Sequence, residues 1–418
     1  MADLAADLVV VGASLAGLRA VEAVRGDGWD GSIILVGAEA HLPYDRPPLS
    51  KEYLYAEECP DTTFRTDATF ADELDVELVL GEPATALDTS TRRITVGGKV
   101  VEYSALVVAT GAHAKTLPGL EDVGGVFRVR TLDDALALRE ALREGERRVT
   151  VIGAGFIGSE VAASARRRGH RVTIVEALET PLAHAVGKRM GKALTRLHEE
   201  HGTAVLTGSS VQEVIGDGRV EQVRLSDGTE LATDVLVVGI GAVPTTGWLE
   251  DSGLDLDDGL VADETLHAGH GVWAAGDIAR WPNGLFGDVA SGATRLEHWT
   301  SAAEQGARAA RNAVASESAR PYETVPYFWS DWYDSRIQFV GIASADDDVE
   351  VEVVAGDESA GPFTALYRAG GRIIGCLAVD MRAEVMKYRR LIARRASWDE
   401  ALELGEERRR AAQEKSRR

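Results

Sequence analysis

The stretch Val149-Thr-Val-Ile-Gly-Ala-Gly-Phe-Ile-Gly158 decides the fold of this chain. Its four apolar or β-branched residues predict a short buried strand. Three glycines follow at the spacing GxGxxG, namely Gly153, Gly155 and Gly158. The first permits a tight turn, the second lets backbone approach a pyrophosphate, and the third packs a helix closely against the strand. The stretch therefore predicts the strand–turn–helix unit of a dinucleotide-binding domain.

The residues after this stretch support that prediction. Gly158–Arg168 has the pattern of a helix, whose N-terminal N–H groups could bind phosphates, and 172–175 has that of a second strand. Glu176 ends this strand, 18 residues after Gly158, and no arginine stands among the three residues that follow it. Its carboxylate is placed to accept a hydrogen bond from a ribose 2′-hydroxyl and would repel a 2′-phosphate. The pattern favours NADH over NADPH; the alternative is a tight turn without a ligand.

A second copy of the unit stands 141 residues earlier, at Gly12-Ala-Ser-Leu-Ala-Gly17. A predicted strand at 7–12 precedes it, and a predicted helix and strand follow at 15–24 and 32–36. Ser14 replaces the middle glycine, and the strand-end acid is replaced by Gly37, with Glu39 two residues further on. Two copies of one nucleotide-binding unit imply two nucleotide sites.

Later segments complete a doubly wound α/β pattern. Buried strands that end in glycine are predicted at 106–112, 235–242 and 271–277, and a helix with closely spaced small residues at 297–315. The third of these strands ends in Gly276-Asp277, where an aspartate can bind the ribitol of FAD, although a bare Gly-Asp is more often a turn.

The composition changes after Pro326. Aromatic residues cluster at 327–333, and strands that suit an antiparallel sheet follow at 337–342, 349–354, 363–367 and 372–379. Helical patterns at 382–395 and 397–410 end the chain. This region is predicted to be an α+β C-terminal domain.

Composition and charge restrict the classes of function. The formal net charge of −22 on 418 residues argues against a nucleic-acid partner. The two cysteines, Cys59 and Cys376, are far apart, which excludes a disulfide scaffold, a zinc ribbon, an iron–sulfur cluster on this chain and a CxxC redox centre. No metal site is predicted. The apolar runs are too short to span a bilayer, and the N-terminus lacks the positive charge of a signal peptide, so a cytoplasmic protein is expected.

The last 39 residues differ in charge from the rest of the chain. Residues 380–418 carry 12 Lys and Arg against 8 Asp and Glu. They could form a solvated helix face or a docking patch for an acidic partner, and the sequence leaves both interpretations open.

One further set of motifs is more specific than the glycine turns. His41-Leu-Pro-Tyr-Asp-Arg-Pro-Pro-Leu-Ser-Lys51 resembles the flavin-side signature of the oxygenase-coupled NADH–ferredoxin reductases, and Phe328-Trp-Ser-Asp331 resembles their C-terminal signature. Motifs similar to theirs also occur, in order, at 109–112, 130–134, 153–160, 273–277 and 295–299. The resemblance covers roughly residues 7–395.

The resemblance implies an α/β fold with FAD and NAD domains of similar, Rossmann-like topology and an α+β C-terminal domain that covers the flavin. The NAD domain is inserted in the FAD domain. We therefore expect a discontinuous FAD-binding domain at 1–112 and 243–322, the NAD-binding domain at 113–242 and the C-terminal domain at 323–418.

The same resemblance implies three catalytic residues. Lys51 would lie near the N5 and O4 edge of the flavin. Glu160 would face the nicotinamide, although in a generic Rossmann helix it is merely a first-turn acid that complements the helix dipole. Trp329 would close the flavin site, although it could instead be core packing in an aromatic cluster.

The cofactor-binding residues follow in the same way. Arg46 would support the loop of Lys51, or be an exposed turn charge; Arg130 and Asp277 would bind the FAD chain, and Trp299 would contact the flavin through its backbone. The FAD set comprises Gly12, Ser14, Ala16, Gly17, Glu39, Arg46, Lys51, Ala84, Ala109, Thr110, Gly111, Arg130, Gly276, Asp277, Trp299 and Trp329. The NAD set comprises Gly153, Gly155, Ile157, Gly158, Glu160, Glu176 and Gly241. His184 stands where relatives often have arginine.

The expected activity is that of an FAD-dependent NADH:ferredoxin oxidoreductase. It would pass electrons one at a time to a [2Fe–2S] ferredoxin that serves a cytochrome P450 or a ring-hydroxylating oxygenase. No cysteine pair stands at the position where disulfide reductases carry one, so electrons must leave the flavin directly. A rubredoxin reductase or an NADH oxidase remains an alternative, and a less favoured one is an NADH-sensing flavoprotein similar to apoptosis-inducing factor.

The expected partner is an acidic ferredoxin. Binding to nucleic acid or to a membrane is not expected. Because the chain is itself acidic, a local basic patch would have to attract it. The candidates for this patch are Arg308, Arg311, Arg336, Lys387, Arg389 and Arg390. A monomer or weak dimer is expected.

Overall fold

The computed structural model describes residues 3–120, 123–143, 145–290, 292–343 and 349–416, with side chains up to Arg410. Its strands are β1 Leu4–Val11, β2 Ile33–Gly37, β3 Val76–Leu80, β4 Ala84–Asp88, β5 Arg93–Val96, β6 Lys99–Val108, β7 Ala112–Ala114, β8 Val126–Phe127, β9 Arg148–Ile152, β10 Arg171–Glu176, β11 Ala204–Thr207, β12 Val211–Ile215, β13 Gln222–Leu225, β14 Glu230–Ala232, β15 Val235–Val238, β16 Ala242–Pro244, β17 Leu260–Val261, β18 His267–Gly269, β19 Val272–Ala274, β20 Ala279–Pro282, β21 Ala293–Arg295, β22 Tyr327–Trp332, β23 Ser335–Gly341, β24 Glu350–Gly356, β25 Phe363–Ala369 and β26 Arg372–Val379.

The α-helices are fewer than the strands in the described part of the chain. They are α1 Leu15–Gly26, α2 Glu52–Tyr55, α3 Leu132–Ala141, α4 Phe156–Arg167, α5 Ala183–Glu200, α6 Trp299–Val314, α7 Arg382–Ala393 and α8 Trp398–Ser416.

The chain divides into two compact units. The first unit comprises Met1–Asp45, Thr62–His113 and Val243–Pro326, and the second comprises Arg46–Asp61, Ala114–Ala242 and Tyr327–Arg418. The segment Arg46–Asp61 thus packs with the second unit, although the sequence analysis assigns it to the FAD-binding domain. The three-domain division stays a prediction.

A parallel sheet organises the first unit, with the strand order β19-β6-β1-β2-β3. Leu8 pairs with Ile33 on one side and Ala105 on the other, so β1 lies at the centre. Val9 to Val11 are buried because helices cover both faces of such a sheet, which explains the continuous apolar run. Strands β4 and β5 extend β6 in antiparallel fashion.

Helices α1 and α6 pack closely in the first unit. A Cβ at Gly306 would lie 2.1 Å from the backbone oxygen of Ala16, so only glycine permits this approach. This explains the small residues that the sequence places along α6.

The parallel sheet of the second unit has the order β11-β10-β9-β15-β8, in which β11, β10, β9 and β15 correspond to β3, β2, β1 and β6. In both sheets the strand before the glycine turn is central and its sequence successor lies beside it. The repeat therefore confirms the doubly wound α/β class. The segment 235–242 forms the predicted buried strand that stops at glycine, since β15 ends at Val238 and Gly239 follows it.

The C-terminal residues form an antiparallel sheet in the order β22-β23-β26-β25-β24. Strand β22 corresponds to the aromatic cluster for which the sequence analysis specified no structure. Helix α7 packs on this sheet through Val385 and Tyr388, and α8 packs through Trp398 and Gly405. The predicted C-terminal α+β region is confirmed.

In the ranges given above, no helix combines the length and the apolar character needed to cross a membrane.

Candidate active site

The glycine turn of the second unit has the geometry that its sequence predicts. Gly153 has a φ of 96°, and a Cβ there would lie 2.3 Å from the backbone oxygen of Gly239. A Cβ at Gly158 would lie 2.2 Å from the backbone oxygen of Gly153. Both positions therefore require glycine, the first for its conformation and both for the space they leave.

Gly155 has a different environment. It is the N-cap residue of α4, and among the described residues a Cβ there would meet no atom within 4 Å. The first turn of α4 carries no charged side chain. Free N–H groups at an uncrowded, positive helix end fit the pyrophosphate of a dinucleotide. Ile157 is 48% exposed beside this end, where its side chain could cover a bound nucleotide.

Glu176 closes the turn from the end of β10. Its Oε2 accepts a hydrogen bond from the Ala154 N–H at 2.8 Å, and its Oε1 accepts one from the Leu178 N–H at 2.9 Å. The carboxylate is therefore oriented by backbone on both sides while remaining partly exposed. A fixed negative charge at this place fits a ribose diol better than a ribose phosphate. Gly241 has a φ of 101°, and its backbone oxygen accepts a hydrogen bond from the Lys115 N–H at 2.9 Å.

The first unit contains the same kind of turn. Gly12 has a φ of 121°, and a Cβ there would lie 2.0 Å from the backbone oxygen of Ala109. A Cβ at Gly17 would lie 1.9 Å from the oxygen of Gly12, and Ser14 is the N-cap residue of α1. Despite the serine, this turn fits a second dinucleotide.

Gly276 lies beside the same helix. A Cβ added to it would lie 3.2 Å from the Cβ of Ala16, and its N–H donates to Gln305 Oε1 at 2.8 Å. Asp277 follows it, half-buried, and its backbone oxygen accepts from Arg295. These residues of the predicted FAD set therefore lie around the N-terminus of α1.

The other first-unit members of the FAD set lie at strand ends, at turns and, for Trp299, at the start of α6. Glu39 accepts a hydrogen bond from the Tyr44 hydroxyl at 2.6 Å, and Trp299 Nε1 donates to Asp45 at 2.7 Å. The hydroxyl of Thr110 donates to the Thr245 backbone oxygen, next to the left-handed Gly111. Ala84 begins β4.

Four predicted FAD residues belong to the second unit: Arg46, Lys51, Arg130 and Trp329. Arg46 is half-buried and donates to the backbone oxygen of Arg130 at 2.6 Å. Trp329 lies on β22 between the rings of Tyr327, at 5.9 Å, and the guanidinium of Arg336, at 5.6 Å.

Lys51 and Glu160 form a buried ion pair, with 2.8 Å between Nζ and Oε2. Lys51 also donates to the backbone oxygen of Pro47 at 3.0 Å. The side chain of Glu160 is 3% exposed and that of Lys51 11%. Two of the three predicted catalytic residues are thus in direct contact, which neither motif alone indicates.

One stripe of helix α4 binds the segment that carries Lys51. Glu160, Ser164 and Arg168 are spaced four residues apart, so their side chains share a helix face. The Ser164 hydroxyl donates to the backbone oxygen of Ser50 at 2.8 Å, and Arg168 donates to that of Leu54 at 2.8 Å. Sequence reasoning missed Ser164 and Arg168, although the four-residue spacing from Glu160 is a signal that could have found them.

A second arginine binds the same segment from α3. Arg139 donates to the backbone oxygens of Tyr53 and Glu57, both at 2.7 Å. Leu54 is fully buried in the apolar core of this unit. The Lys51 loop is therefore a rigid part of the second unit, and Arg139 is a further residue that the sequence analysis missed.

Two serines complete the surroundings of Glu160. The Ser50 hydroxyl donates to Oε2 and the Ser330 hydroxyl to Oε1, each at 2.5 Å. Both serines lie within motifs that the sequence analysis quoted, but neither was predicted to be a catalytic or cofactor-binding residue.

The predicted docking residues differ in their surroundings. Arg311 is bound to Asp27 through two hydrogen bonds, and Arg336 is bound to Asp331 at 3.2 Å. Arg390 is exposed, while Arg308, Lys387 and Arg389 are half-buried. Met386, on α7 with Lys387 and Arg389, is an exposed apolar residue at 48%.

Profiles of known protein families match two regions of this chain. The profile described as "Pyridine nucleotide-disulphide oxidoreductase" matches residues 6–306. The chain belongs to this family. A second profile, "Reductase C-terminal", matches residues 327–407. The family uses FAD and NAD(H), which confirms the two predicted cofactors.

Individual family members resemble the chain over nearly its whole length. The ferredoxin–NAD(+) reductase component of the anthranilate 1,2-dioxygenase system of Burkholderia cepacia is 37% identical, over 92% of this chain and 93% of its own. Rhodocoxin reductase of Rhodococcus erythropolis is 34% identical, over 92% and 89%. Putidaredoxin reductase, solved as a covalent complex with putidaredoxin, matches with a TM-score of 0.86 at 29% identity, over 94% of each chain.

Proposed function

We propose that this protein is an FAD-dependent NADH:ferredoxin reductase. The observation that carries the proposal is the buried ion pair between Lys51 and Glu160, the latter on the helix that follows the second glycine turn. The relatives named above as ferredoxin–NAD(+) and rhodocoxin reductases support ferredoxin as the electron acceptor. We further infer a [2Fe–2S] ferredoxin that serves an oxygenase, and a reducing, cytoplasmic setting for the two separate cysteines, Cys59 and Cys376.

Some of these residues bind the cofactors, and others orient the reacting rings. The two glycine turns bind the pyrophosphates of FAD and NADH, and Glu176 selects the ribose diol. FAD, when bound, supplies the acceptor for the hydride and releases electrons singly. Glu160 lies in the second turn of α4, where it would orient the nicotinamide, and Lys51 would place a positive charge beside the flavin. Because both side chains are buried, their charges act with little screening by water.

The test mixes the yellow, purified protein with NADH without oxygen and follows flavin absorbance by stopped flow. A [2Fe–2S] ferredoxin is then added with cytochrome c as reporter. Fast bleaching followed by ferredoxin-dependent cytochrome reduction is the expected result. Fast bleaching without ferredoxin turnover, but with rapid reoxidation in air, would support an NADH oxidase, and a long-lived charge-transfer band would support a sensor.

Substitution Glu176→Gln is expected to relax the preference for NADH. The amide removes the charge that repels a 2′-phosphate while keeping one oxygen for the Ala154 N–H. The ratio of kcat/KM for NADPH to that for NADH should rise about tenfold, which corresponds to about 1.4 kcal/mol. Glu179→Gln removes the same charge from an exposed residue of the same loop and serves as the control. An equal change in both variants would contradict the role of Glu176.

Charge reversal at Arg390 together with Lys387, both on α7, is expected to weaken ferredoxin binding. The KM for an acidic ferredoxin should rise about tenfold at low ionic strength, and the effect should shrink as salt screens the charges. Reduction of ferricyanide by NADH should keep its rate. Arg171→Glu, a reversal at an exposed arginine outside the predicted patch, is the control. Unchanged ferredoxin kinetics in the double variant would refute this docking surface.

A further inference from the structure

Glu160 has a second set of contacts, on the oxygen that faces away from Lys51. Its Oε2 contacts Lys51 and Ser50, whereas its Oε1 accepts a hydrogen bond from the Ser330 hydroxyl at 2.5 Å. Ser330 lies on β22 and is fully buried. Because both groups are buried, water does not replace the Ser330 hydroxyl as a hydrogen-bond donor to Glu160. The hydrogen bond therefore depends on the direction in which that hydroxyl points.

The direction of this hydrogen bond is determined by Trp332. The indole Nε1 of Trp332 donates to the oxygen of Ser330 at 2.8 Å. An indole N–H can only donate, so Ser330 must accept from it, and the single hydroxyl proton of Ser330 then points to Glu160. Glu160 Oε1 is therefore the acceptor in this hydrogen bond. Together with Ser50 and Lys51, which donate to Oε2, Ser330 is the third donor that fixes the carboxylate.

Trp332 is itself held by the end of helix α5. Its ring stacks on His198 with 4.7 Å between centroids, and it is 1% exposed. Burial lowers the pKa of His198 to about 4, so the ring that Trp332 packs on is neutral at pH 7. Tyr333, the next residue, has a φ of 54°, which is unusual for a bulky side chain. Its hydroxyl contacts His198 Nδ1 at 2.9 Å and the Thr203 hydroxyl at 2.7 Å, which explains how the turn keeps this conformation.

We propose that Ser330, oriented by Trp332, is a positioning residue that fixes the Glu160 carboxylate for hydride transfer from NADH. The inference rests on the proposed function, in which Glu160 orients the nicotinamide. It gives the C-terminal sheet a task in the NADH half-reaction that is separate from any contact with the electron acceptor. Removal of the Ser330 hydroxyl would free Oε1 and let the carboxylate rotate about its remaining contacts.

The experiment compares S330A, S330T and W332F with wild type and with E160Q. The rate of flavin reduction by NADH is measured by stopped flow, and the Kd for NAD⁺ is measured by calorimetry. S330A should lower the reduction rate about tenfold while the Kd changes less than about twofold, because the glycine turn and Glu176 carry the affinity. S330T, which keeps a hydroxyl, should restore most of the rate. W332F, which leaves the hydroxyl free to turn, should show an intermediate loss.

Thr364→Val is the matched control, because Thr364 is a buried hydroxyl of the same sheet that contacts Met381 instead. It should lower the thermal unfolding midpoint as S330A does and leave the reduction rate unchanged. A wild-type rate in S330A, or an equal loss in Thr364→Val, would overturn the inference. If S330A does not fold, W332F decides by the same criteria.

The failure of this inference and that of the proposed function give different results. If wild type oxidises NADH slowly or E160Q matches wild type, the role of Glu160 fails, and the inference fails with it. If E160Q is impaired but S330A is not, only the role of Ser330 fails.

Discussion

Gly158→Ala is expected to slow flavin reduction by NADH strongly while leaving FAD bound. The new Cβ would lie 2.2 Å from the backbone oxygen of Gly153 and 3.3 Å from Val151 Cγ1. Neither is the end of a flexible side chain, so α4 must move away from β9, at a cost of about 1–3 kcal/mol or more. The shift would open the turn that binds the pyrophosphate. We expect flavin reduction by NADH to fall about 100-fold, which corresponds to about 2.7 kcal/mol.

Gly155→Ala is the matched control for this prediction. It has a φ of −74°, and its Cβ would meet no described atom within 4 Å. The variant should keep the unfolding midpoint of wild type, yet raise the Kd for NADH about tenfold because the methyl group occupies the space of a phosphate. FAD content, read from absorbance, should be unchanged in both variants, since the turn at Gly12–Gly17 is intact. Equal unfolding midpoints for the two variants would refute the packing argument.

Lys51→Met is expected to lower the free energy of unfolding more than any other substitution proposed for this protein. It should also slow flavin reduction by NADH. It leaves Glu160, 3% exposed, as a buried carboxylate without its counter-ion. Breaking such a pair from one side costs about 3–5 kcal/mol, because the remaining charge stays desolvated. The serines continue to donate to Glu160, so the protein should still fold. We expect a lower midpoint in urea and slow flavin reduction by NADH.

The double variant Lys51→Met with Glu160→Gln separates stability from chemistry. With both charges removed, most of the lost stability should return, whereas flavin reduction should stay slow because neither group acts on the cofactors. Arg143→Met is the control, since Arg143 and Glu140 form a pair that is 66% and 71% exposed. Such a pair contributes about 1 kcal/mol or less. A double variant that is no more stable than Lys51→Met would contradict the account of the buried pair.

The glycine turns and strand runs were predictable from the sequence because they obey local rules. A strand that ends in glycine at φ near 100° and a helix that starts three residues later need only neighbouring residues. The repeat at Gly12 and Gly153 therefore predicted two similar sheets, and the structure contains them. The exact ends were less predictable: α4 begins at Phe156, two residues before the predicted start, because Gly155 is its N-cap.

The surroundings of Glu160 were not predictable in the same way. Sequence motifs placed Ser50, Glu160 and Ser330 in three separate signatures and indicated no contact among them. Their hydrogen bonds join residues 110 and 170 positions apart. The direction of the Ser330 hydroxyl also depends on Trp332, whose ring is placed by helix α5.

The sequence by itself thus determined the α/β class, the two nucleotide-binding turns and the family, because steric demands on the backbone and the period of apolar residues act over a few neighbouring residues. Only the tertiary structure decided which polar groups meet Glu160. A buried charge on α4 needs partners from outside its own helix, and these come from Ser50 and Lys51 and from Ser330 on β22. Long-range packing brings such partners together, and no local pattern records it.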